Sequence, residues 1–520
     1  MADKSRQETG FDSWIRLCSA RAAAIKSVVI RKFSTKLLKT TQLKNPLVSA
    51  KSASSAFQNK TSAPLCASFV YLCVTAKAKV KSKKSPTENQ EPTNQKPPRP
   101  NYSLSFTVKP YICRMNIMLI NHYAGSPELG MEYRPFYLAK QWQELGHNVV
   151  IIAASFAHIR TNQPKVTVDF QKDSIHGINY LWITTPAYEG NGLARVKNMR
   201  AFTNKLKKQA KHLAAEYKPD LVIASSTYPL DNYPAQKIAR YAGAKYYYEV
   251  HDLWPLSPKE LGGMPSWHPF ILWMQKAENF AYRHADRVIS MLPNTLEHMT
   301  AHGLSPGKWS YVPNGINTAE WENAEPLNNE TAKAIDEIRK NHKYLVAYTG
   351  SFGIANALWS LVETAPKLKN DGVAIVLTGG GPELDNLLSL KEKLKAGNVF
   401  FIPAIPKKQI PELLSRFDIL YIGLQRQSLF RFGISPNKLI DYMMAAKPVV
   451  QAIEAGNNMV EEAGCGIAVE PENPEALAAG IRKLMSLSPA RLGEMGKSGR
   501  EFVIKNHDYK VLAKKFLENL

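Results

Sequence analysis

The pattern of apolar and polar positions changes character at residue 115. From there on, short runs of β-branched and apolar residues alternate with longer stretches of helical period. Asn116–Ile120 reads as a strand, 121–130 as a polar turn holding glycines, 131–145 as a helix stopped by Gly146, and 147–154 as a second strand. Runs that are apolar throughout and flanked by helices indicate parallel strands covered on both faces. The pattern continues with helix 195–217, strand Leu221–Ala224, helix 234–242, strand Lys245–Val250, helix 268–284, strand 287–291, helix 294–301 and strand 309–312. A polar stretch, 314–329, breaks the rhythm. It resumes with strands predicted at 344–349, 374–378, 399–402, 419–423 and 448–452, separated by helices at 355–369, 383–395, 408–416 and 436–445. Helices at 474–485 and 489–505 and a last one from Tyr509 close the chain. Alternation on this scale predicts two doubly wound α/β domains, over 115–320 and 321–505. The terminal helix, 506–520, could cross back to the first. In open sheets of this type, ligands sit beyond the carboxyl ends of the strands.

The first 114 residues show no such period. They are rich in Ser, Lys and Ala, hold 21 of the chain's 67 basic residues and 5 of its 44 acidic ones, and end in a proline-rich stretch at 91–100. Of the net charge of +23, +16 therefore belongs to this segment. A polar chain of one sign buries too little surface to offset its conformational entropy, so a largely disordered extension is expected. Its basic, Ser-rich, acid-poor composition fits an organelle transit peptide or a tail for nucleic acid or anionic membrane. A third reading starts translation at Met115 and makes the segment a mis-assigned extension. The body, at +7, is only mildly basic, and no nucleic-acid partner is expected for it. It has one cysteine, Cys465, hence no internal disulfide and no cysteine-based metal site, as in a reducing compartment. No stretch reaches the ~18 apolar residues of a membrane-spanning helix.

Four loops carry candidate chemistry. Thr349-Gly350-Ser351-Phe352-Gly353 follows a strand and precedes a helix. It reads either as a pyrophosphate cradle at a helix N-terminus or as a plain βα turn. Thr378-Gly379-Gly380-Gly381-Pro382 leaves room for a ring or ribose to approach, or is a tight turn without a ligand. In Arg431-Phe432-Gly433-Ile434-Ser435-Pro436-Asn437-Lys438-Leu439-Ile440-Asp441, Ser435 is expected to cap a helix from Pro436. Lys438 then sits in the first turn, disfavoured there unless an anion is present. Asp441 shares its face, so the two make either a phosphate and ribose site or a surface ion pair. Glu249-Val250-His251-Asp252-Leu253-Trp254-Pro255 ends a buried strand; His251 and Asp252 face a cleft or serve only the turn.

Together these motifs, in this order, resemble family 4 of the retaining glycosyltransferases, which have the two-domain GT-B architecture. The resemblance covers 115–520, and Val312-Pro313-Asn314-Gly315-Ile316 is similar to the family's segment before the interdomain linker. Among its branches the chain looks most like bacterial O-antigen and capsule enzymes such as N-acetyl-L-fucosamine transferases. The resemblance implies a nucleotide diphosphate sugar as donor, UDP favoured, held without metal or other cofactor. Gly350, Ser351, Gly353 and Lys438 would meet the pyrophosphate, with Arg431, Ser435 and Asn437 in the same donor site. Gly380 and Gly381 would lie near the nucleoside, Ile402 and Pro403 beside the base, and Asp441 on the ribose. His251, with Asp252, would stand by the reacting carbon, and the turn with Gly125 and Gly130 would line the acceptor side. Two positions depart from the family: Gly433 stands where many members have a Glu, and Asn356-Ala357-Leu358 replaces basic residues.

No Asp-x-Asp metal motif lies near these loops, and no second carboxylate suggests the double displacement of retaining glycosidases. Front-face substitution, with the donor pyrophosphate taking the acceptor proton, needs neither. The basic helix 195–217, with its apolar stripe, is either a solvated face or a dock for an anionic leaflet. The latter suits a polyprenyl-pyrophosphate-linked acceptor and a protein peripheral on the inner face of the plasma membrane. A nucleotide-sugar 2-epimerase and a non-catalytic sugar-nucleotide binder remain the rival classes.

Overall fold

The computed structural model describes residues 114–518. The expectations for the preceding segment lie outside the described residues. The first sheet has eight strands in the order β3-β4-β2-β1-β5-β6-β7-β8. They are β1 (Asn116–Ile120), β2 (Asn148–Ala154), β3 (Gln171–Ile175), β4 (Ile178–Ile183), β5 (Leu221–Ala224), β6 (Lys245–Val250), β7 (Arg287–Ser290) and β8 (Trp309–Tyr311). All pairs are parallel except β3 with β4. The second sheet, wholly parallel, runs β11-β10-β9-β12-β13-β14. Its strands are β9 (Tyr344–Ser351), β10 (Val373–Gly380), β11 (Val399–Ile402), β12 (Ile419–Gly423), β13 (Val449–Ala452) and β14 (Gly466–Ala468).

The strands are apolar throughout because both faces are covered. Along β1, Met118 and Ile120 join one core while Ile117 and Leu119 join the other. In β9, Leu345 and Ala347 face one core, and Val346 and Tyr348 the opposite one. This arrangement is the doubly wound fold, twice over, of GT-B proteins.

Several elements depart from the sequence reading, β14 among them. Residues 171–183 form the hairpin β3–β4, closed by His176 and Gly177 at φ of 49° and 79°. Positive φ at both positions is the primed turn of two-residue hairpins. The apolar pattern does not mark β3, because Gln171-Lys172-Asp173-Ser174 is a polar, mostly exposed sheet edge. Inside the region read as polar linker and its sequel, Asn329–Asn341 is a helix capped by the Asn328 side chain, which accepts from Thr331 N at 2.8 Å. It buries only Thr331, Ile335 and Ile338.

The chain crosses between the domains twice, and the crossings touch. Ile316 N donates to His507 O, and Tyr509 N donates to Ile316 O. His507 Nδ1 lies 2.8 Å from Asn314 O. Gly315 is required here, since a Cβ would come within 2.6 Å of Leu512 and 2.8 Å of His507 O. The terminal helix Tyr509–Leu517 then lies on helix Arg134–Glu144 of the first domain, where Tyr509, Leu512 and Phe516 enter the core and Trp142 Nε1 donates to Ala513 O.

Candidate functional site

Strand order reverses between β9 and β12 in the second sheet and between β1 and β5 in the first. The crevices at such reversals, at the carboxyl ends of the strands, receive ligands. The two glycine loops and Lys438 gather at the first of them.

Gly350 and Ser351 belong to β9 and pair with Gly379 and Gly380 of β10. The glycines differ in purpose. A Cβ on Gly379 would overlap Gly350 O, and one on Gly381 would crowd the Phe352 backbone at 2.7 Å, so both serve the close packing of the two loops. Gly380 faces open space, and a Cβ on Gly353 would meet only Asn356, at 3.5 Å. At Gly350, φ is 135° and a Cβ would stand 2.5 Å from Lys438 Cε. The lysine stem therefore lies directly over the glycine, and its ammonium reaches Asn356 Oδ1 at 3.2 Å. Asn356, one of the departures from the family pattern, is what ties Lys438 to the glycine loop; its amide also donates to Ser351 O. Burial lowers the Lys438 pKa, with Asp441 opposing. Asp441 is itself raised to about 6 by burial, against the pull of Lys407 and Lys438.

Several expectations are revised here. Helix Asn437–Met444 begins after Pro436, with no side-chain cap. The Ser435 hydroxyl instead accepts from Asn314 N at 2.9 Å, which fixes the interdomain segment to the second domain. Asn437 lies in the first turn, next to Lys438. The helix after the first glycine loop starts only at Leu358, beyond a 3-10 turn over Ile354–Asn356, so it does not abut Gly350. Ile402 ends β11 beside Thr378, but its side chain is buried in the core; Pro403 is exposed. Gly125 and Gly130 are buried in one turn, with Gly125 donating to Glu132 O and its Cβ position filled by Gly130 O. Both serve the packing of that turn, and its exposed part is Pro127 and Glu128.

Arg431 is not beside the glycine loops. Its guanidinium grips Glu260 of the first domain with two bonds of 2.8 and 2.7 Å and stacks over Phe432. Ser428 donates to the same carboxylate. Leu429 and Phe432 enter the first domain's core, and Asn294 donates to Phe432 O and Gly456 O. Gly433 sits within this latch at φ of 97°, where a Cβ would stand 2.5 Å from Pro293 Cδ. No side chain fits there, which is a physical reason for the missing acid.

Across the cleft, β6 delivers a buried network. His251 Nε2 lies 3.0 Å from Ser225 Oγ and 3.3 Å from Glu249 Oε2. Glu249 is fully buried, takes a 2.8 Å bond from Arg134 Nε and accepts from Ser225 Oγ at 2.6 Å. Arg134 completes the network by donating to the carbonyls of Val312 and Pro313. Burial would raise the Glu249 carboxyl, but Arg134 and His251 hold it down at about 2. Burial would lower the His251 imidazole; Glu249 overrides it and the net direction is upward. Asp252, next in the chain, is solvent-exposed, and desolvation by the surrounding protein pushes its carboxyl up. The sequence reading missed Arg134, Ser225 and Glu249. A charged residue within an apolar strand, as Glu249 is in Tyr246-Tyr247-Tyr248-Glu249-Val250, was the available signal. Lys407 was missed too; it lies over the rings of Tyr133 and Tyr137 at 4.4 and 5.0 Å and is the foremost cation acting on Asp441.

Residues 130–315 match the family described as "Glycosyl transferase 4-like domain", and residues 330–502 match "Glycosyl transferases group 1". The chain belongs to the family 4/group 1 glycosyltransferases. One relative of this glycosyltransferase is the probable glycosyltransferase WbjE of Pseudomonas aeruginosa, 23% identical over 311 residues, which cover 59% of this chain and 75% of WbjE. Among solved structures, Anabaena HepE in complex with UDP and glucose has a TM-score of 0.53 and 16% identity, spanning 78% of this chain and 99% of that one. WaaG, a glycosyltransferase involved in lipopolysaccharide biosynthesis, gives 0.53 and 16% over 77% and 98%. These neighbours carry the same GT-B fold. No helix among the described residues of this transferase is long and apolar enough to cross a membrane.

Proposed function

We propose that this glycosyltransferase moves a sugar, with retention of configuration, from a nucleotide diphosphate sugar to a glycan acceptor carried on a polyprenyl pyrophosphate, in surface-polysaccharide synthesis. The observation that carries the reading is the seat of Lys438: a partly buried ammonium held over Gly350, at the start of a helix, facing the β9/β12 crevice. An anion is the natural partner for a buried cation at a helix N-terminus. UDP is the favoured nucleotide, in keeping with HepE. In this reading Asp441 accepts from ribose hydroxyls and Pro403 borders the base.

The anomeric carbon–oxygen bond to pyrophosphate breaks as the acceptor oxygen bonds to the same face, and the acceptor proton passes to a departing phosphate oxygen. Lys438 and the backbone N–H groups around it stabilise the leaving anion by preorganised charge, without a metal. His251, oriented by Glu249 and Ser225 and with its pKa raised by Glu249, donates toward the sugar when it is protonated. Closure of the domains excludes water from the donor.

The basic helix Leu193–Tyr217 spends its apolar stripe (Met199, Phe202, Leu206, Ala210, Leu213) on the core. An anionic leaflet would therefore be met by its charged face alone, through residues such as Arg200, Lys207, Lys208 and Lys211, all exposed. Such binding places the enzyme peripherally on the inner face of the plasma membrane and weakens with salt.

The test is calorimetric titration of the full chain with UDP, GDP, ADP and CMP without divalent metal, then turnover of the matching sugar nucleotide with lipid-linked acceptors and determination of the anomeric product. Binding of UDP and an α-linked product from an α-linked donor are expected. Failure of all four nucleotides to bind, with metal or without, would remove the reading. Binding without turnover across the acceptor panel would instead favour a non-catalytic binder, a reading supported by the blocked position at Gly433.

A further inference from the structure

Glycosyl transfer leaves unused one cluster of chemically capable side chains, on the outer helices of the first domain. Glu278 lies on helix Pro269–His284; His298 and His302 lie four residues apart, on and just after helix Leu296–Ala301. One ligand-type atom from each falls within 4.8 Å of the others.

The cluster is charged in a way the protein does not itself balance. Glu278 is 1% exposed, and its carboxylate receives Gln275 Nε2 at 2.7 Å and the Tyr282 hydroxyl at 2.9 Å. No lysine or arginine among the described residues pairs with it; the nearest basic group is His298 Nε2 at 3.8 Å. That nitrogen is buried and has no hydrogen-bond partner. A buried carboxylate without a cation and a buried ring nitrogen without a partner are each costly. His302 Nδ1 donates to Asn279 Oδ1 at 3.2 Å, the kind of outer support that fixes a ligating imidazole and leaves its other ring nitrogen free.

We propose that Glu278, His298 and His302 bind a zinc-type divalent cation. Two histidines and a carboxylate are a familiar zinc donor set, with solvent as a fourth ligand. Tetrahedral bonds of ~2.0–2.1 Å place ligand atoms about 3.3 Å apart, so the 3.8 Å pair needs only a small closure. The ion neutralises the buried carboxylate, engages the orphaned nitrogen and ties the two helices together. It also has a reach beyond them. The His298 ring packs 5.4 Å from the Phe432 ring of the second domain, so a filled site braces the surface against which the interdomain latch closes.

The test uses the full chain freed of metal by a chelator, titrated with Zn²⁺ in calorimetry and with Co²⁺ in visible absorption. Wild type is expected to bind one equivalent with the d–d bands of a four-coordinate site and to gain thermal stability with zinc. His298→Ala and His302→Ala are each expected to weaken zinc at least about tenfold and to lose the cobalt bands, while melting like the metal-free wild type. No uptake by wild type, or equal affinity in the folded variants, overturns the proposal. Should His298→Ala fail to fold, the half-exposed His302→Ala decides alone.

Discussion

At the residue scale, three groups of the candidate site, Lys438, Asp441 and His251, have pKa values shifted by their surroundings. Lys438→Ala removes the one ammonium seated over the glycine loop. Turnover should fall by about 10²-fold or more, the loss expected for a preorganised charge at a leaving group, with the circular dichroism spectrum unchanged. Asp441, with its pKa at about 6, is a carboxylate only above that value. Under the proposed role, UDP affinity should drop as pH falls through about 6, and calorimetry on Asp441→Asn should show that dependence flattened. His251 has a raised pKa, so its ion pair with Glu249 is fully formed below the imidazole's unfolded value and is lost as pH rises through the folded one. Glu249→Gln should move the His251 titration, read from its ring protons by NMR, to lower pH. The same change strands Arg134 in the core and should cost about 3–5 kcal/mol in denaturant unfolding. Gly433→Glu, which restores the family's usual acid, should lower stability and bring no gain in activity, because φ of 97° and Pro293 exclude the side chain.

At the scale of elements, the latch between domains divides into parts of unequal weight. The Glu260–Arg431 pair is half solvated on the arginine side and is worth ~0–1 kcal/mol. Phe432, 8% exposed within the first domain's core, is worth more; its truncation to Ala should cost about 3–5 kcal/mol if the domains unfold together. Glu260→Ala should therefore leave the unfolding midpoint almost unchanged while increasing domain opening, seen as a larger radius of gyration in solution scattering. This is also the scale at which the sequence was most legible. Strands covered on both faces, such as β9 and β12, announced themselves as unbroken apolar runs. The hairpin strand β3 did not, because a sheet edge keeps its polar side chains, and Asn329–Asn341 buries too few residues to leave a clear period. The glycine loops at the ends of β9 and β10 were legible for the same local reason as the strands: strand and glycines are contiguous in sequence. Arg431 and Ser435 stand out in the sequence as neighbours of Lys438, yet their partners, Glu260 and Asn314, are 171 and 121 residues away. Nothing local encodes a partner so distant.

At the scale of the molecule, the two domains are joined by more than a linker. Tyr509, Leu512 and Phe516 from the last helix complete the core beneath Trp142 and Tyr247, and Tyr137 stacks on Tyr509 at 5.1 Å. Removing the chain from residue 508 onward exposes that aromatic surface and should yield insoluble or unfolded protein, a result read directly from soluble expression. A chain cut short after β14 would fail for the same reason, although both sheets would be whole.

That dependence on the last helix also orders events at the ribosome. The final strand of the first sheet ends at Tyr311, but the helix that seals its core begins at Tyr509. At ~5–20 residues per second, the nascent first domain waits roughly 10–40 seconds for that helix to be synthesised. Through that interval the bed around Trp142 stands open to whatever apolar surface is nearby. That bed is closed to other apolar surfaces only when the helix from Tyr509 packs into it.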